Sequence, residues 1–261
     1  MFDKSSDFIN KIKRNFFPFY KNKELKFVFN KLQEGFPKDT VAARFVGGCV
    51  RKHFSNDEID DIDIATILSS DEIKEKFKNT NFKIIDTGIK HGTITLISEK
   101  LKLELTTLRK DLETDGRHAE VVFGGTWEDD ANRRDFTVNA LYADEYGTIL
   151  DVTGEGFRDL ENKKLKFIGS PGKRIKEDYL RILRYFRFLS KFLVNIDKKS
   201  LDACIKYAEN LNILSSERVL MEFNKILISD NSIIIIDKMN KNKIFHYNER
   251  VQCRPQVLVL V

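Results

Sequence analysis

Apolar and polar residues follow two different periods along the chain, and the change comes near residue 174. Before that point, a helical period over residues 23–34 is followed by short apolar runs that are typical of strands. These runs cover residues 41–46, 62–67, 82–86, 93–97 and 101–108, with a helix-like segment at 71–79 among them. The first half is therefore predicted to be mixed α/β around a central sheet.

Beyond residue 174 the period is helical. Over residues 174–191, the apolar residues fall on one side of a single predicted helix, and Asp178, Arg181 and Arg184 fall on the other. Further helices are predicted at roughly 198–210 and 216–229. The second half is thus predicted to be helical.

Composition excludes some classes of protein but does not identify a function. The 261 residues are 41% hydrophobic, which predicts a globular fold with a real core. A net charge of +5 fits a polyanionic partner, although many ordinary proteins carry a similar excess. Three scattered cysteines (Cys49, Cys204, Cys253) argue against a disulfide framework or a structural zinc site. With no signal-type amino terminus and no apolar run of about 18 residues, we expect a cytoplasmic protein without a membrane segment.

Paired glycines at the end of the first predicted strand give the first chemical signal. Gly47 and Gly48 allow a tight turn and a close approach of the backbone to a phosphate. Arg51 follows in a predicted helix whose amino terminus favours anions. Alone, such a turn is common and structural.

Asp61 and Asp63 make that turn more informative. Residues two apart on a strand share a face, so the two carboxylates lie together while Ile62 and Ile64 point into the core. Glu104, in the alternating run 101–107, is a candidate third carboxylate on a neighbouring strand. Repelling carboxylates of this kind suit Mg²⁺, which also takes phosphate oxygens as ligands. The alternative is a solvent-facing acidic strand edge, but the glycine turn and Arg51 favour two-metal nucleotidyl transfer.

Two arginine-containing segments have both a structural and a functional interpretation. On the structural interpretation, the adjacent arginines in 133–144 belong to a solvent-exposed turn. Asp178 and Arg181, three apart on the predicted helix, would form an ordinary surface ion pair, or would present acceptors and donors to the edge of a base.

Six segments in order resemble the class II tRNA nucleotidyltransferase and bacterial poly(A) polymerase family. They span Arg44 to about Phe223, and they are GGCVR with DID (47–63), TDGRHAEVVF (114–123), RRDFTVNAL (133–141), DVTGEGFRDL (151–160), EDYLRILRYFRF (177–188) and LSSERVLMEF (214–223). The resemblance implies an α+β fold, with a polymerase-β-like nucleotidyltransferase head of mixed sheet and helices, an all-helical neck and a truncated body. The implied domains are an arm (1–22), the head (23–150), the neck (151–215) and the start of the body (216–261).

The resemblance also implies roles for individual residues. The metal-binding carboxylates are Asp61 and Asp63, and Glu104 stands where the family often has a further acidic residue, which makes it the third catalytic candidate. Contacts to the incoming nucleotide, primer end and base edge are implied for Gly47, Gly48, Arg51, Arg134, Asp135, Asn139, Asp178, Arg181 and Arg184. A hinge between head and neck is implied for Asp151, Gly156 and Asp159, and a helix that supports the neck for Glu217, Arg218 and Glu222.

The implied function is addition or repair of CCA at the 3′ end of tRNA from CTP and ATP, with Mg²⁺. Alternatives are a poly(A) polymerase, an enzyme that adds part of CCA, an inactive fragment, and a nucleotide-binding sensor. The sequence indicates no oligomeric state.

Two features depart from the family. Lys52 replaces the usual Asp, and we expect this to alter local packing or primer-end detail without loss of metal binding. The sequence ends soon after the sixth segment, so we expect a shortened body that leaves Ile226, Ile228 and the 233–236 run uncovered.

Overall fold

The computed structural model describes residues 22–55, 57–88, 92–114, 119–192 and 195–244. The predicted arm lies outside these ranges except for Asn22, as do residues 115–118 of the second family segment and everything after 244. The chain forms two compact units. The first consists of residues up to Leu112 and of Val121–Leu160, and the second consists of Glu113–Glu120 and the residues from Glu161 onward.

A seven-stranded mixed sheet forms the frame of the first unit, with the strand order β3-β4-β5-β2-β1-β8-β9. Its strands are β1 Ala43–Val46, β2 Ile62–Thr66, β3 Lys83–Gly88, β4 Thr93–Ile97, β5 Lys102–Thr107, β8 Leu141–Ala143 and β9 Ile149–Asp151. Two further strands, β6 Arg109–Thr114 and β7 Ala119–Phe123, form a separate two-stranded sheet. The five strands predicted from the apolar runs are all present.

Strands β2 and β5 run parallel, whereas β1 pairs antiparallel with both β2 and β8. In the β2–β5 register, Asp63 lies opposite Glu104 and Ile64 opposite Leu105. Ile64 and Leu105 are fully buried. The pairing of β2 with β5 therefore brings two acidic residues together, and the next pair of residues along the strands is apolar and packs in the core.

Capping residues stand at the starts of three helices of the first unit, at Asn22, Ser69 and Thr126. Asn22 caps α1 by accepting the Glu24 N–H at 2.9 Å, and Ser69 with Glu72 forms a capping box at the start of α3. The helices are α1 Lys23–Gln33, α2 Gly48–Ser55, α3 Ser70–Phe77, α4 Trp127–Asn132 and α5 Gly156–Glu161, with a 3₁₀ turn at Thr137–Asn139. The helices predicted at 23–34 and 71–79 are thus present with slightly shorter bounds.

The first unit continues past the predicted head boundary at residue 150. Strand β9 pairs with β8 through Leu141 and Asp151, and α5 follows within the same unit. The predicted boundary therefore falls within β9, and the pairing of β9 with β8 holds this segment to the sheet.

The second unit is helical, as predicted. Its elements are β10 Lys164–Leu165, α6 Pro171–Glu177, α7 Leu180–Phe192, β11 Asn195–Ile196, α8 Lys198–Lys206, a 3₁₀ stretch at Ala208–Ile213, α9 Ser216–Leu227 and α10 Ser232–Lys241. Helix α9 lies against α7, and α10 contacts both. The core of the unit includes Tyr185, Phe186 and Ile226.

The apolar residues near the end of the described chain divide between core and surface. Ile226 is fully buried, so the expectation that it is uncovered was wrong: it lies on the face of α9 that packs inward. Ile228, Ile233 and Ile234 are exposed, at 84%, 76% and 53%, whereas Ile235 is buried. Across the described ranges, every helix is too short or too polar to cross a membrane.

Candidate functional site

The glycine turn lies beside the acidic strand. Gly47 ends β1 with a φ of +69°, a left-handed conformation that favours glycine, and its N–H donates to the Leu141 carbonyl at 3.1 Å. Helix α2 begins at Gly48, where a Cβ atom would lie 3.9 Å from Asp63 Oδ2. The amino terminus of an eight-residue helix therefore lies next to the carboxylate of β2.

The three predicted carboxylates take different positions. Asp63 is half-buried in β2 and faces Glu104 of β5, whereas Asp61 is exposed and precedes the strand, which begins at Ile62. Ile64 is buried as expected, but Ile62 is only half-buried. Asp61 therefore belongs to the segment just before β2 and not to the strand itself.

Burial, together with the nearby charge of Glu104, raises the pKa of Asp63 to about 6. The positive charges of Arg134 and Arg51 oppose this rise, and Asp61 adds to it. Like charges thus crowd Asp63, and a cation placed among them would relieve the repulsion.

Glu104 is partly exposed and also lies near a lysine. Its side chain is 42% exposed and lies 3.6 Å from the Lys102 ammonium. Within the described ranges, no three His, Cys, Asp or Glu side chains are arranged to hold a metal ion together. A cation at Asp61 and Asp63 would have to complete its coordination with water and phosphate oxygens, which is the usual situation for Mg²⁺.

Arg51, Asn139 and Asp135 form a buried chain of hydrogen bonds. Arg51 donates through Nη1 to Asn139 Oδ1, and Asn139 Nδ2 donates to Asp135 Oδ1 at 3.0 Å. All three side chains are at least nine-tenths buried. Asp135 also accepts the Phe136 N–H at 2.8 Å, which fixes it to the backbone. The structure brings these predicted residues together and holds Arg51 beside the glycine turn.

Arg134 is held by a residue that the sequence analysis missed. Asp130 of α4 is 1% exposed and accepts hydrogen bonds from Arg134 Nη2 at 2.9 Å and from the Tyr142 hydroxyl at 2.7 Å. It also accepts the Arg133 Nε–H at 2.8 Å. Burial alone would raise the pKa of Asp130, but the two guanidinium groups and the hydroxyl lower it to about 2. The i,i+3 and i,i+4 spacing of Asp130 to Arg133 and Arg134 on a helix was the available signal.

This buried carboxylate sets the position of Arg134 relative to the turn. A Cβ on Gly47 would lie 3.4 Å from Arg134 Nη1, so the guanidinium lies against the turn. Two arginines, Arg51 and Arg134, therefore flank the glycine turn, and each is oriented by a buried acceptor. Positive charge, backbone N–H groups and carboxylates meet at one place in the first unit.

The predicted hinge residues are closely bonded within the first unit. The Asp151 carboxylate accepts the N–H groups of Gly154 at 3.0 Å and Phe157 at 2.9 Å, and Asp159 accepts the Thr137 hydroxyl at 2.8 Å. A Cβ on Gly156 would lie 2.5 Å from the Thr137 carbonyl oxygen, so only glycine fits there. These contacts fix α5 to the 3₁₀ turn, and the hinge role stays a prediction.

Asp178 breaks the helix that was predicted to run unbroken over residues 174–191. It has extended backbone angles (φ −155°, ψ 109°), and its Oδ1 accepts the Leu180 N–H at 3.1 Å. A short carboxylate that bonds nearby backbone N–H groups favours a helix start over a helix interior. Helix α6 therefore ends at Glu177 and α7 begins at Leu180.

Asp178 and Arg181 each bond to another residue. Asp178 Oδ2 accepts a bond from Arg218 of α9 at 2.9 Å, and Arg181 Nη1 donates to Glu177 Oε2 at 2.6 Å. The break in the helix removes the i,i+3 alignment that an ion pair between them would need. Arg184 lies with its guanidinium 5.9 Å from the ring of Phe188.

Helix α9 supports α7 through polar contacts, as the resemblance implied. Besides the Arg218–Asp178 bond, Glu222 is 5% exposed and lies 3.0 Å from Arg187 Nε and 2.9 Å from Lys225 Nζ. Asp178, just before α7, and Arg187 within it are therefore both held from a second helix.

A cavity of about 540 Å³ in the second unit is rich in lysine. The residues that line it are Lys164, Lys166, Gly169, Pro171, Asp197, Lys198 and Lys199. Its one carboxylate, Asp197, is neutralised by Lys164 at 3.3 Å and accepts the Ser200 hydroxyl at 2.8 Å. The cavity thus keeps an excess of positive charge.

Comparison with known proteins gives consistent similarities. A family model described as "Poly A polymerase head domain" matches residues 43–166, and one described as "Probable RNA and SrmB- binding site of polymerase A" matches residues 194–248. The chain is 42% identical over 204 residues to "CCA tRNA nucleotidyltransferase 1, mitochondrial" of Homo sapiens, covering 77% of this chain and 47% of that protein. It is 40% identical over 191 residues to the "CCA-adding enzyme" of Enterococcus faecalis, covering 72% and 46%.

Solved structures agree with these similarities. The Bacillus stearothermophilus CCA-adding enzyme in complex with CTP superposes with a TM-score of 0.76 at 32% identity, over 88% of this chain and 54% of that one. A CCA-adding enzyme in complex with ATP gives 0.70 at 25% identity, over 86% and 52%. The chain spans about half the length of the curated relatives it matches.

Proposed function

Because the chain belongs to the family of CCA-adding enzymes and poly(A) polymerases, we propose that it is a tRNA nucleotidyltransferase. It adds or repairs the 3′-terminal CCA of tRNA from CTP and ATP. The observation that carries this proposal is the position of Asp63 between a second carboxylate, Glu104, and the glycine turn at the start of α2.

The carboxylates of Asp61 and Asp63 fit a divalent cation, and we propose Mg²⁺. Their oxygens are hard ligands, Asp61 is exposed and Asp63 is half-buried, and burial with the nearby charge of Glu104 raises the pKa of Asp63. When bound, the cation would supply charge neutralisation for the attacking hydroxyl and for the leaving pyrophosphate.

The side chains around the glycine turn suit a triphosphate. The amino terminus of α2 lies next to Asp63, and the guanidinium groups of Arg51 and Arg134 lie beside the turn. The 3′ hydroxyl of the RNA attacks the α-phosphorus, a new P–O bond forms, and the bond to pyrophosphate breaks. The two arginines hold the phosphate oxygens and offset the charge that develops on them.

Asp178, Arg181 and Arg184 are proposed to read the edge of the incoming base. Asp178 accepts one bond on each oxygen. A carboxylate has about four lone-pair sites. It therefore keeps acceptor capacity for an amino group of cytosine or adenine, while Arg218 and the Leu180 N–H fix its orientation.

An RNA partner is supported by charge in the second unit. The lysine-lined cavity and the net charge of +5 favour a polyanion. We propose that phosphates of the tRNA lie against this cavity. The predicted hinge at Asp151, Gly156 and Asp159 belongs to the same proposal. The expected cytoplasmic location stays a prediction, since the human relative carries the word mitochondrial in its name.

Labelled tRNA transcripts lacking CCA, incubated with CTP, ATP or both, test the function. Addition of C with CTP alone and completion to CCA with both nucleotides would support the proposal, whereas an A tail of increasing length would favour a poly(A) polymerase. Asp63→Ala should abolish addition, and Asp86→Ala should not, since Asp86 pairs only with Lys74 in the contacts described for it. Addition by the Asp63→Ala protein at the wild-type rate would refute the assignment.

A further inference from the structure

Lys52 is bonded to the segment that leads into the acidic strand. Its ammonium donates to Asp60 Oδ1, and its backbone carbonyl accepts the Asp57 N–H at 3.0 Å. The side chain is only 13% exposed, so it lies against the protein and does not extend into solvent. One residue of α2 thus holds two points of the segment before β2.

Asp60, which Lys52 holds, is in turn bonded to the backbone of Asp61. The same Oδ1 atom that accepts the Lys52 ammonium also accepts the N–H of Asp61 at 2.9 Å. Asp61 lies outside the strand, so the ladder of strand hydrogen bonds does not hold it. Its backbone direction depends instead on this bond to Asp60.

We propose that Lys52 is a positioning residue for the metal-binding carboxylate of Asp61, acting through Asp60. Lys52 touches neither nucleotide nor cation in this proposal; it fixes the turn from which the Asp61 side chain reaches the site. The inference rests on the proposed function, in which Asp61 and Asp63 hold a divalent cation. Groups that orient a metal ligand in this way typically change metal affinity by about 10- to 100-fold when removed.

Other roles for Lys52 predict a different change in cation affinity when the lysine is replaced. A lysine that acted only through its charge would repel a cation near Asp61, and its removal would tighten cation binding. A positioning lysine, once removed, leaves Asp61 free to turn away, and cation binding weakens. A purely structural ion pair would alter thermal stability and leave cation affinity unchanged. The direction of change therefore separates the three roles.

The test measures Mn²⁺ binding by electron paramagnetic resonance in the presence of CTP, which does not depend on turnover. We expect Lys52→Met and Asp60→Ala each to raise the Mn²⁺ Kd about tenfold. The Lys52→Met/Asp60→Ala double variant should be no worse than Asp60→Ala alone, because both changes break one relay. Lys52→Arg should stay within about twofold of wild type, since it keeps a donor of the same charge.

Controls keep the result interpretable. Lys74→Met removes the pairs of Lys74 with Asp71 and Asp86 in the same unit, neither of which involves the segment before β2, and should leave the Mn²⁺ Kd unchanged. Asp63→Ala tests the site itself: if it too leaves Mn²⁺ binding unchanged, the proposed metal site fails. If Asp63→Ala abolishes binding while Lys52→Met leaves it unchanged or tightens it, the positioning role alone is overturned, whatever the effect of Asp60→Ala. Should Lys52→Met not fold, as judged by its melting curve, Lys52→Ala takes its place in the same comparison.

Discussion

The buried carboxylate of Asp130 offers the sharpest test of how the first unit holds its arginines. Asp130→Asn keeps the size of the side chain and removes the charge that faces Arg133 and Arg134. The pKa of Asp130 is lowered from an ordinary value of 3.8 to about 2. Each pKa unit is worth about 1.4 kcal/mol, so the folded protein favours the charged form by roughly 2–3 kcal/mol. We expect Asp130→Asn to lose about that much unfolding free energy at pH 7.

The sign of the pH dependence follows from the lowered pKa. Stability from a group of this kind is complete above its unfolded pKa near 4 and is lost as the pH falls toward 2. Urea denaturation of both proteins at pH 7 and pH 3 should therefore show a difference that shrinks on acidification. Asp86→Asn, at an exposed pair, should cost less than about 0.5 kcal/mol at either pH. A loss below about 1 kcal/mol for Asp130→Asn at pH 7, or an undiminished difference at pH 3, would refute the reasoning.

Three further outcomes are expected. Arg181→Ala should relax the preference for CTP and ATP over UTP and GTP more than it weakens triphosphate binding, measured by competition in the addition assay; unchanged preference would contradict the base-reading role. Gly156→Ala should lose about 1–3 kcal/mol in urea denaturation, because its Cβ would overlap the Thr137 carbonyl, and a neutral result would show that α5 can shift. Lys166→Glu with Lys199→Glu should weaken tRNA binding and reduce its salt dependence by about one unit of slope per lost contact, whereas the exposed Lys173→Glu should not.

The sequence predicted the acidic end of the sheet well because strand periodicity is local. Alternation in 101–107 placed Glu104 on a strand, and the structure puts it directly opposite Asp63. Only the pairing partner could not be read from the pattern, since parallel pairing of β2 with β5 depends on contacts distant in sequence. The predicted start of β2 at Ile62 was right, but Asp61 was wrongly treated as a strand residue: it bonds to its neighbour Asp60 and stays outside the strand.

The second unit shows where periodicity misleads. The apolar spacing across 174–191 continues in phase through Asp178, so one helix was predicted where two exist. The side chain of Asp178 overrides the pattern by capping the second helix. Its partner Arg218 lies 40 residues away, a pairing that no spacing rule identifies.

The charges that the fold balances are the same charges that the proposed reaction needs. Asp63 is crowded by Glu104 and Asp61 and relieved by Arg134 and Arg51. Those arginines would each be costly to bury alone, and Asp130 and Asn139 hold them in place. A triphosphate with its cation would add negative charge beside the arginines and positive charge beside the carboxylates, matching both groups without rearranging either. Such a site is organised before its substrate arrives, which is the arrangement that lowers the cost of charge development during phosphoryl chemistry.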